Sequence, residues 1–535
     1  MEFAARFCAG LWHTAVEMLG PSRIVLALTA ALVIDPSNVH ADEPRVDGMF
    51  ADWTSSMMIA TDPAGDAAGS FDLQRVYATS RGSRLFLRFE VTSTLNMQSG
   101  ATSDGTLLVT IAMPQNRALT IDMRNRVLWR DNDTALEVGW DSVKYTVAPA
   151  YAASEFELVV DLAQFGAGVG SPLTINFSSS DSLAAGASFT MSQPEPTPIR
   201  RPATRADGAT FRIASVNTEQ TGLLNSTRRP KLLRLVDGMN ADIYCFQEEY
   251  TSTATQIDTH ITSADPMEDG ANWNVHKNND CVIASRSPLL ALPSPNTATA
   301  GAIIDLPAAG PSDAVVVFSI HPKCCGYIGS TEDATRITQM TGLLTTLSSL
   351  RAGSLGAAFE PYRQVPVIII GDWNLVGSVT PLAMVLDGAG PNMRDAMPAQ
   401  LIGEDVTSWR GSSTTAGSFA PGRLDLLVHS SSGISLRGSF VLDSATLNAG
   451  ELGALGLQSG DSASTDHNML VGDFSFATPV CPGDANGDNQ INGADIAVVL
   501  SGWGDASGAA DLNHDGLVNA ADLASVLATF GSSCP

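Results

Sequence analysis

The run Val365-Pro366-Val367-Ile368-Ile369-Ile370 stops at Gly371-Asp372-Trp373-Asn374, and no other junction constrains the fold as strongly. A short β-branched run closed by glycine and polar residues reads as a buried strand that carries two polar side chains to its C-terminal edge. Strand-like runs recur at Arg212–Val216, Ile243–Phe246, Val315–Ile320 and Leu424–Val428. Helical patterns lie between them. Leu232, Leu235, Val236 and Met239 fall at i, i+3, i+4 and i+7, and Ile337, Met340, Leu344, Leu347 and Leu350 form a second stripe. Both stripes are core faces. Strand and helix alternating over residues 209–476 predict a layered α/β domain.

A chain of 535 residues exceeds one core and predicts about three domains. The formal charge of −26, from 56 acids against 30 bases, opposes tight nonspecific binding to nucleic acid. It leaves a phosphate substrate open, because bound divalent cations supply positive charge locally. Near the start, Arg6 and Arg23 precede the apolar stretch Ile24–Ile34, and Val39-His40-Ala41 offers small residues for cleavage. That stretch is too short to span a bilayer, so residues 1–41 are expected to be a secretory signal rather than a buried helix, and the protein to be secreted or held at the cell surface. Without Cys8 six cysteines remain, an even number that suits an oxidising compartment. Cys481 and Cys534 are the expected disulfide, and Cys245 reads as a packed thiol.

Residues 42–193 alternate apolar and polar positions, as in Arg84–Val91 and Leu107–Ile111, with Gly, Asn and Asp between the runs. This predicts an antiparallel β-sandwich. Its opening, Val46-Asp47-Gly48 with Asp52-Trp53, then Asp62, Gly65-Asp66 and Phe71-Asp72-Leu73, resembles sandwich modules of the family-nine carbohydrate-binding type. The resemblance implies a polysaccharide partner held between aromatic side chains; a sandwich without a ligand is the alternative. Residues 194–208 are proline-rich and read as an extended spacer.

The central block carries an ordered set of polar strand ends. These are Ile213–Asn217, Asn240–Ile243, Gln247-Glu248, Ile283–Pro288, Ser319–His321, Arg336 with Gln339, Gly371–Asn374, Arg423–Asp425 and Asp466-His467. Displacement at phosphorus gains most from neutralising oxygens, which calls for carboxylate and amide groups holding a hard cation. In this order the motifs resemble the endonuclease/exonuclease/phosphatase superfamily. The resemblance implies a four-layer sandwich of two packed sheets flanked by helices, and magnesium or manganese held by Glu248, Asn217 and Asp466, with Glu249 a weaker neighbour. It also implies that Asp372 orients or deprotonates water and that Asn374 contacts the phosphate. His467 is then a base or phosphate contact held by Asp425, and His321 protonates the leaving oxygen or stabilises the phosphoryl group. Candidate substrates are nucleic acid, phospholipid or inositol phosphate. Cys324-Cys325 departs from the pattern and reads as a pinned loop, two free thiols, or bonds to Cys245 and Cys281. Residues 209–476 also hold 15 Lys and Arg against 26 Asp and Glu, which turns the expectation away from a duplex-DNA specialist.

Residues 477–535 contain two twelve-residue loops at an offset of 27. Oxygen-bearing residues stand at positions 1, 3, 5, 9 and 12: Asp484, Asn486, Asp488, Asn492 and Asp495, then Asp511, Asn513, Asp515, Asn519 and Asp522. This is calcium-loop spacing. Apolar stripes follow each loop (Ile496, Val499, Leu500, Trp503, then Leu523, Val526, Leu527, Phe530), so two short helices are expected to pack together. With aspartate at position 12 the segment resembles dockerin modules. That implies a small α module with paired EF-hand-like loops, two bound Ca2+, and a cohesin-like partner. The whole reads as a secreted metal-dependent phosphoesterase; the alternative is a noncatalytic surface adhesion or scaffold protein with an inactive phosphoesterase-like domain.

Overall fold

The computed structural model describes residues 44–532 apart from 68, 70, 99, 101–104, 184, 307–312, 391, 412–418, 477–482, 487, 489, 505–509 and 513–516. The expected signal segment, Cys481, Cys534, Asn513 and Asp515 therefore lie outside the described residues.

Residues 58–190 form two antiparallel sheets of five and six strands. Alternation decides which side chains meet. Leu85, Leu87 and Phe89 from one sheet share a core with Val109, Ile111, Ile175 and Phe177 from the other. The opening motif has a structural use: buried Glu157 accepts the backbone N–H groups of Asp47 (2.9 Å) and Gly48 (2.7 Å) and the Trp53 indole N–H (2.8 Å). Among the described residues of 44–193, no aromatic side chain is exposed as a sugar platform. Asp62, Asp66 and Asp181 each bring one carboxylate oxygen to a common point, within 4.8 Å of one another.

The central region has two six-stranded sheets, each with one parallel pair at its centre. Phe211–Asn217 runs parallel to Ile243–Gln247 in one sheet, and Ala314–Ile320 runs parallel to Val367–Asp372 in the other. A parallel pair needs a crossover, supplied here by the helices Arg229–Met239 and Thr331–Arg351. Along each strand alternate residues face opposite ways. Ile213, Ile368 and Ile370 enter the core between the sheets, whereas Val216 and Ile369 face the helices outside. Helix, sheet, sheet and helix make the four layers. In the long helix Leu343 is buried in place of Ile337, because the face turns with the 3.6-residue period and buried Arg336 occupies the second turn.

The 194–208 segment is docked instead of free. Glu195 pairs with Arg84 (2.7 Å), Arg201 N–H donates to Leu401 O (2.8 Å), and Arg201 pairs with Glu404 (2.5 Å). In the C-terminal module, Asn492 and Asn519 cap the helices Gly493–Ser501 and Ala520–Ala528 in equivalent capping boxes. Val499 and Val526 are buried, but Leu500, Trp503, Leu527 and Phe530 are exposed, so only part of each stripe packs inward. Among the described residues no helix is long and apolar enough to cross a membrane.

Inside the first sheet, Arg212 pairs with Asp473 through Nε (2.7 Å) and Nη2 (2.8 Å), both side chains 3% exposed. Arg212→Ala leaves the buried Asp473 carboxylate without its cation, with only the Ala206 N–H as donor (2.8 Å), and should cost about 3–5 kcal/mol, whereas the double change Arg212→Met with Asp473→Leu should come within roughly 1–2 kcal/mol of the parent. Urea-unfolding midpoints of the three proteins check this ordering.

Candidate active site

Parallel pairing places the C-terminal ends of both central strand pairs on one side of the double sheet. Asn217 ends its strand opposite Gln247, and Ile320 lies opposite Gly371. Four polar positions thus meet: Asn217, Glu248, His321 and Asp372. The antiparallel register Asp372↔Asp425 adds a fifth.

Asp372 is the hub. Its Oδ2 accepts from Asn217 Nδ2 (3.2 Å) and Asn374 Nδ2 (3.2 Å), and its Oδ1 accepts from Asn374 N–H (2.9 Å). His321 Nε2 and His467 Nε2 approach the same Oδ2 at 3.6 and 3.7 Å. Each imidazole is held from behind: His321 Nδ1 donates to Asp280 (2.5 Å) and His467 Nδ1 to Asp425 (2.7 Å). That arrangement turns both Nε2 atoms toward Asp372. Burial pushes the Asp372 carboxyl up, against the opposing pull of His467 and His321. Burial works against a charged His321, but the Asp280 hydrogen bond and the Asp372, Asp280 and Glu248 carboxylates outweigh it and lift its pKa to about 9. Burial is likewise outweighed at His467 by Asp425 and Asp372, which lift it to about 10.

Glu248 leaves its strand with φ +61°, a left-handed backbone that turns it off the strand axis. Its Oε1 accepts from Asn217 Nδ2 (3.2 Å) and its Oε2 from Gln220 N–H (2.9 Å). Asp466 Oδ1 lies 4.0 Å from His467 Nε2, and Thr465 Oγ donates to Asn217 O (2.7 Å), tying that loop to the first sheet. Glu249 turns away into the fold, where it accepts from Thr218 Oγ (2.7 Å) and Leu223 N–H (2.9 Å). Asn374 Nδ2 is committed to Asp372 and to Pro322 O (3.2 Å). Arg336 donates to Lys323 O (2.8 Å) and Cys325 O (2.7 Å), and Gln339 accepts from Lys323 N–H (2.9 Å), so both shape the loop after His321. Cys245, Cys281, Cys324 and Cys325 are free, which removes the alternative of bonds to Cys245 and Cys281.

Two contributors, Asp280 and Trp409, were not readable as site residues, and Gln247 was readable only as a polar strand end. Asp280 sits in the turn Asn279-Asp280, where asparagine and aspartate read as turn residues. Gln247 bridges the sheets, donating to Ser215 Oγ (3.2 Å) and Ser319 Oγ (3.0 Å). Trp409 meets the His467 ring edge-on at 4.9 Å.

Glu248 and Asp466 offer carboxylate oxygens, Asn217 turns Nδ2 toward Glu248 and Asp372 while its Oδ1 accepts from Glu219 N–H (3.0 Å), and five carboxylates (Glu248, Asp280, Asp372, Asp425, Asp466) surround two imidazoles. Such a donor set suits a hard divalent cation.

Residues 482–530 match the family model for the dockerin type I domain. The chain carries a dockerin type I domain. Part of the chain is similar to several solved structures, each at low identity. The human Nocturnin catalytic domain with bound sulfate shares 17% identity over 52% of this chain and 100% of its own, with a TM-score of 0.33. An AP endonuclease from Leishmania major shares 13% over 52% and 93%, with a TM-score of 0.33. Sphingomyelinase C from Streptomyces griseocarneus shares 15% over 49% and 98%, with a TM-score of 0.29. No curated protein matches the chain.

Gly371 has φ +144°, and a Cβ there would stand 2.3 Å from Ile320 O and 3.0 Å from Gln247 Nε2. Gly371→Ala must therefore push apart the parallel strands that hold His321 and Asp372. A loss of roughly 1–3 kcal/mol in stability is expected from such overpacking. Thermal melting and near-ultraviolet circular dichroism check it.

Proposed function

We propose that residues 209–476 are a divalent-metal-dependent phosphoesterase domain of phosphodiesterase or nuclease type. The observation that carries this reading is Asp372, a buried carboxylate facing two amides and two carboxylate-backed imidazoles. Glu248, Asn217 and Asp466 would hold magnesium or manganese. Such a cation, when bound, neutralises charge on the phosphoryl oxygens.

The chain's own groups divide the remaining work. Asp372 orients the attacking water and accepts its proton as the new P–O bond forms. The carboxylates around His467 and His321 raise both imidazoles, to about 10 and about 9, which favours their proton-donating form. This favours the phosphate contact over the base role for His467. His321 gives its Nε2 proton to the leaving oxygen as the old P–O bond breaks. Asn374 supports Asp372 and reaches the phosphate by exchanging its Pro322 contact. The acidic balance of the domain favours small or lipid phosphoesters, or nucleic acid held weakly.

Glu248→Ala, Asp372→Asn and His467→Ala should each lower kcat/KM on bis-nitrophenyl phosphate by about 10²–10⁴-fold with melting temperatures near the parent's. Chelation should abolish turnover in the parent. Parent-like rates in all three variants would refute the assignment.

The dockerin domain, in the same reading, binds two calcium ions through Asp484, Asn486, Asp488, Asn492 and Asp495 and through Asp511, Asn513, Asp515, Asn519 and Asp522. Leu500 with Trp503 and Leu527 with Phe530, exposed at an offset of 27, form the faces for a cohesin-like partner outside the cell. With seven acids and no Lys or Arg in residues 477–535, calcium removal should unfold this domain alone. Tryptophan fluorescence of Trp503 during chelator titration, against Asp495→Ala with Asp522→Ala, tests it. A calcium response retained by the double variant would place the ions elsewhere.

A further inference from the structure

The N-terminal domain reaches the loops that carry the active site. Asn96 follows the long strand Arg84–Leu95 and is 4% exposed. Its Nδ2 donates to Val376 O (2.7 Å) and Gly377 O (3.4 Å), two and three residues beyond Asn374. Its Oδ1 accepts from Ile328 N–H (2.7 Å), in the loop that follows His321. One amide thus spans the exits of both active-site strands, with donor and acceptor functions each used on backbone groups.

Three more ties run in parallel. Ala152 N–H donates to Gly377 O (2.7 Å). Gln98 Oε1 accepts from Ala420 N–H (2.7 Å), and Val147 N–H donates to Pro421 O (3.3 Å). Ala420 and Pro421 belong to the segment that returns to Gly422, which exchanges hydrogen bonds with Trp409 (2.9 and 3.0 Å), the residue whose ring meets His467. Ala420 itself is buried in the N-terminal core. From the other side, Asp333 accepts from Gly329 N–H (3.0 Å) and Ser378 N–H (2.8 Å), so the two loops are held from beneath as well.

We propose that the N-terminal domain is a structural part of the catalytic unit and that Asn96 is a positioning residue, fixing the separation of the His321 and Asn374 loops. Its kinetic consequence rests on the phosphoesterase reading; its structural consequence does not. A tethered binding module would leave these loops to the central region, whereas here the loops that follow His321 and Asn374 both end on Asn96.

The test uses the full chain with Asn96→Ala, Asn96→Asp and, as a control in the N-terminal core away from the loops, Phe177→Leu. Hydrogen exchange is read in peptides covering 323–330 and 375–379, and turnover on bis-nitrophenyl phosphate with magnesium. Asn96→Ala should speed exchange in both peptides and lower kcat about tenfold or more, with KM within about twofold, because misplaced groups lose alignment before binding. Asn96→Asp keeps the acceptor and should restore protection in the first peptide but not the second. Phe177→Leu should lower the melting temperature and leave both readouts unchanged. Parent-like exchange and kcat in Asn96→Ala, or an equal fall in kcat with Phe177→Leu, would overturn the proposal. If the parent hydrolyses no phosphoester, the phosphoesterase reading fails, and the exchange data alone decide the tether: lost protection supports it and unchanged protection overturns it.

Discussion

The site depends on keeping one carboxylate, Asp372, out of water and still supplied with donors. A buried carboxylate without partners is expelled or neutralised. Here its oxygens meet amides of Asn217 and Asn374 and the Nε2 atoms of His321 and His467. These donors come from both sheets, so the distance between sheets is a chemical variable. The apolar layer that sets it contains Ile213, Ile243, Val317, Ile368, Ile370 and Leu427. Packing and chemistry are therefore coupled: an error in that layer moves Asn217 away from Asp372 before it changes any polar residue.

The strands were readable because buried parallel strands need apolar residues on both faces, and Val315–Phe318 and Val367–Ile370 supply them without interruption. Asn217, Glu248, His321, Asp372, Asp425 and His467 stood out as polar groups at the ends of such runs, and the structure brings them together. Asp280 did not, because aspartate in a turn has a sufficient local explanation. Leu343 was displaced by Leu344 and Ile337 in the pattern, since apolar positions over a 21-residue helix outnumber the face that meets the sheet. In the dockerin domain the stripes report apolarity and not what covers it, so Leu500 and Leu527 read as core and emerge exposed. Asn96 was invisible: a single polar residue after a strand carries no periodic signal, and its partners lie 232 to 281 positions away.

The proline-rich segment makes the same point about modular chains. Its composition fits an extended spacer, yet Arg201 and Glu195 bind it to the domains on either side. Proline stiffens a chain and removes donors, but it leaves every carbonyl and flanking side chain free to pair. Composition reports what a linker lacks internally. Docking is decided by the neighbours.

The overall charge and the proposed chemistry seem opposed, since a chain at −26 should repel phosphates. The opposition is removed by range. Surface charges beyond about 8–10 Å are screened at physiological salt, whereas groups inside a buried cleft are not. At the site, the carboxylates behind His321 and His467 raise both imidazoles, so under the proposed chemistry an acidic environment would favour the donors that a phosphate needs. The cost falls on approach: with 26 acids against 15 bases in residues 209–476, a long polyanion would gain little from the surrounding surface. A small or lipid phosphoester loses little by that. Under the phosphoesterase reading, the same acidic shell that polarises the imidazoles would thus narrow the substrates on which they could act.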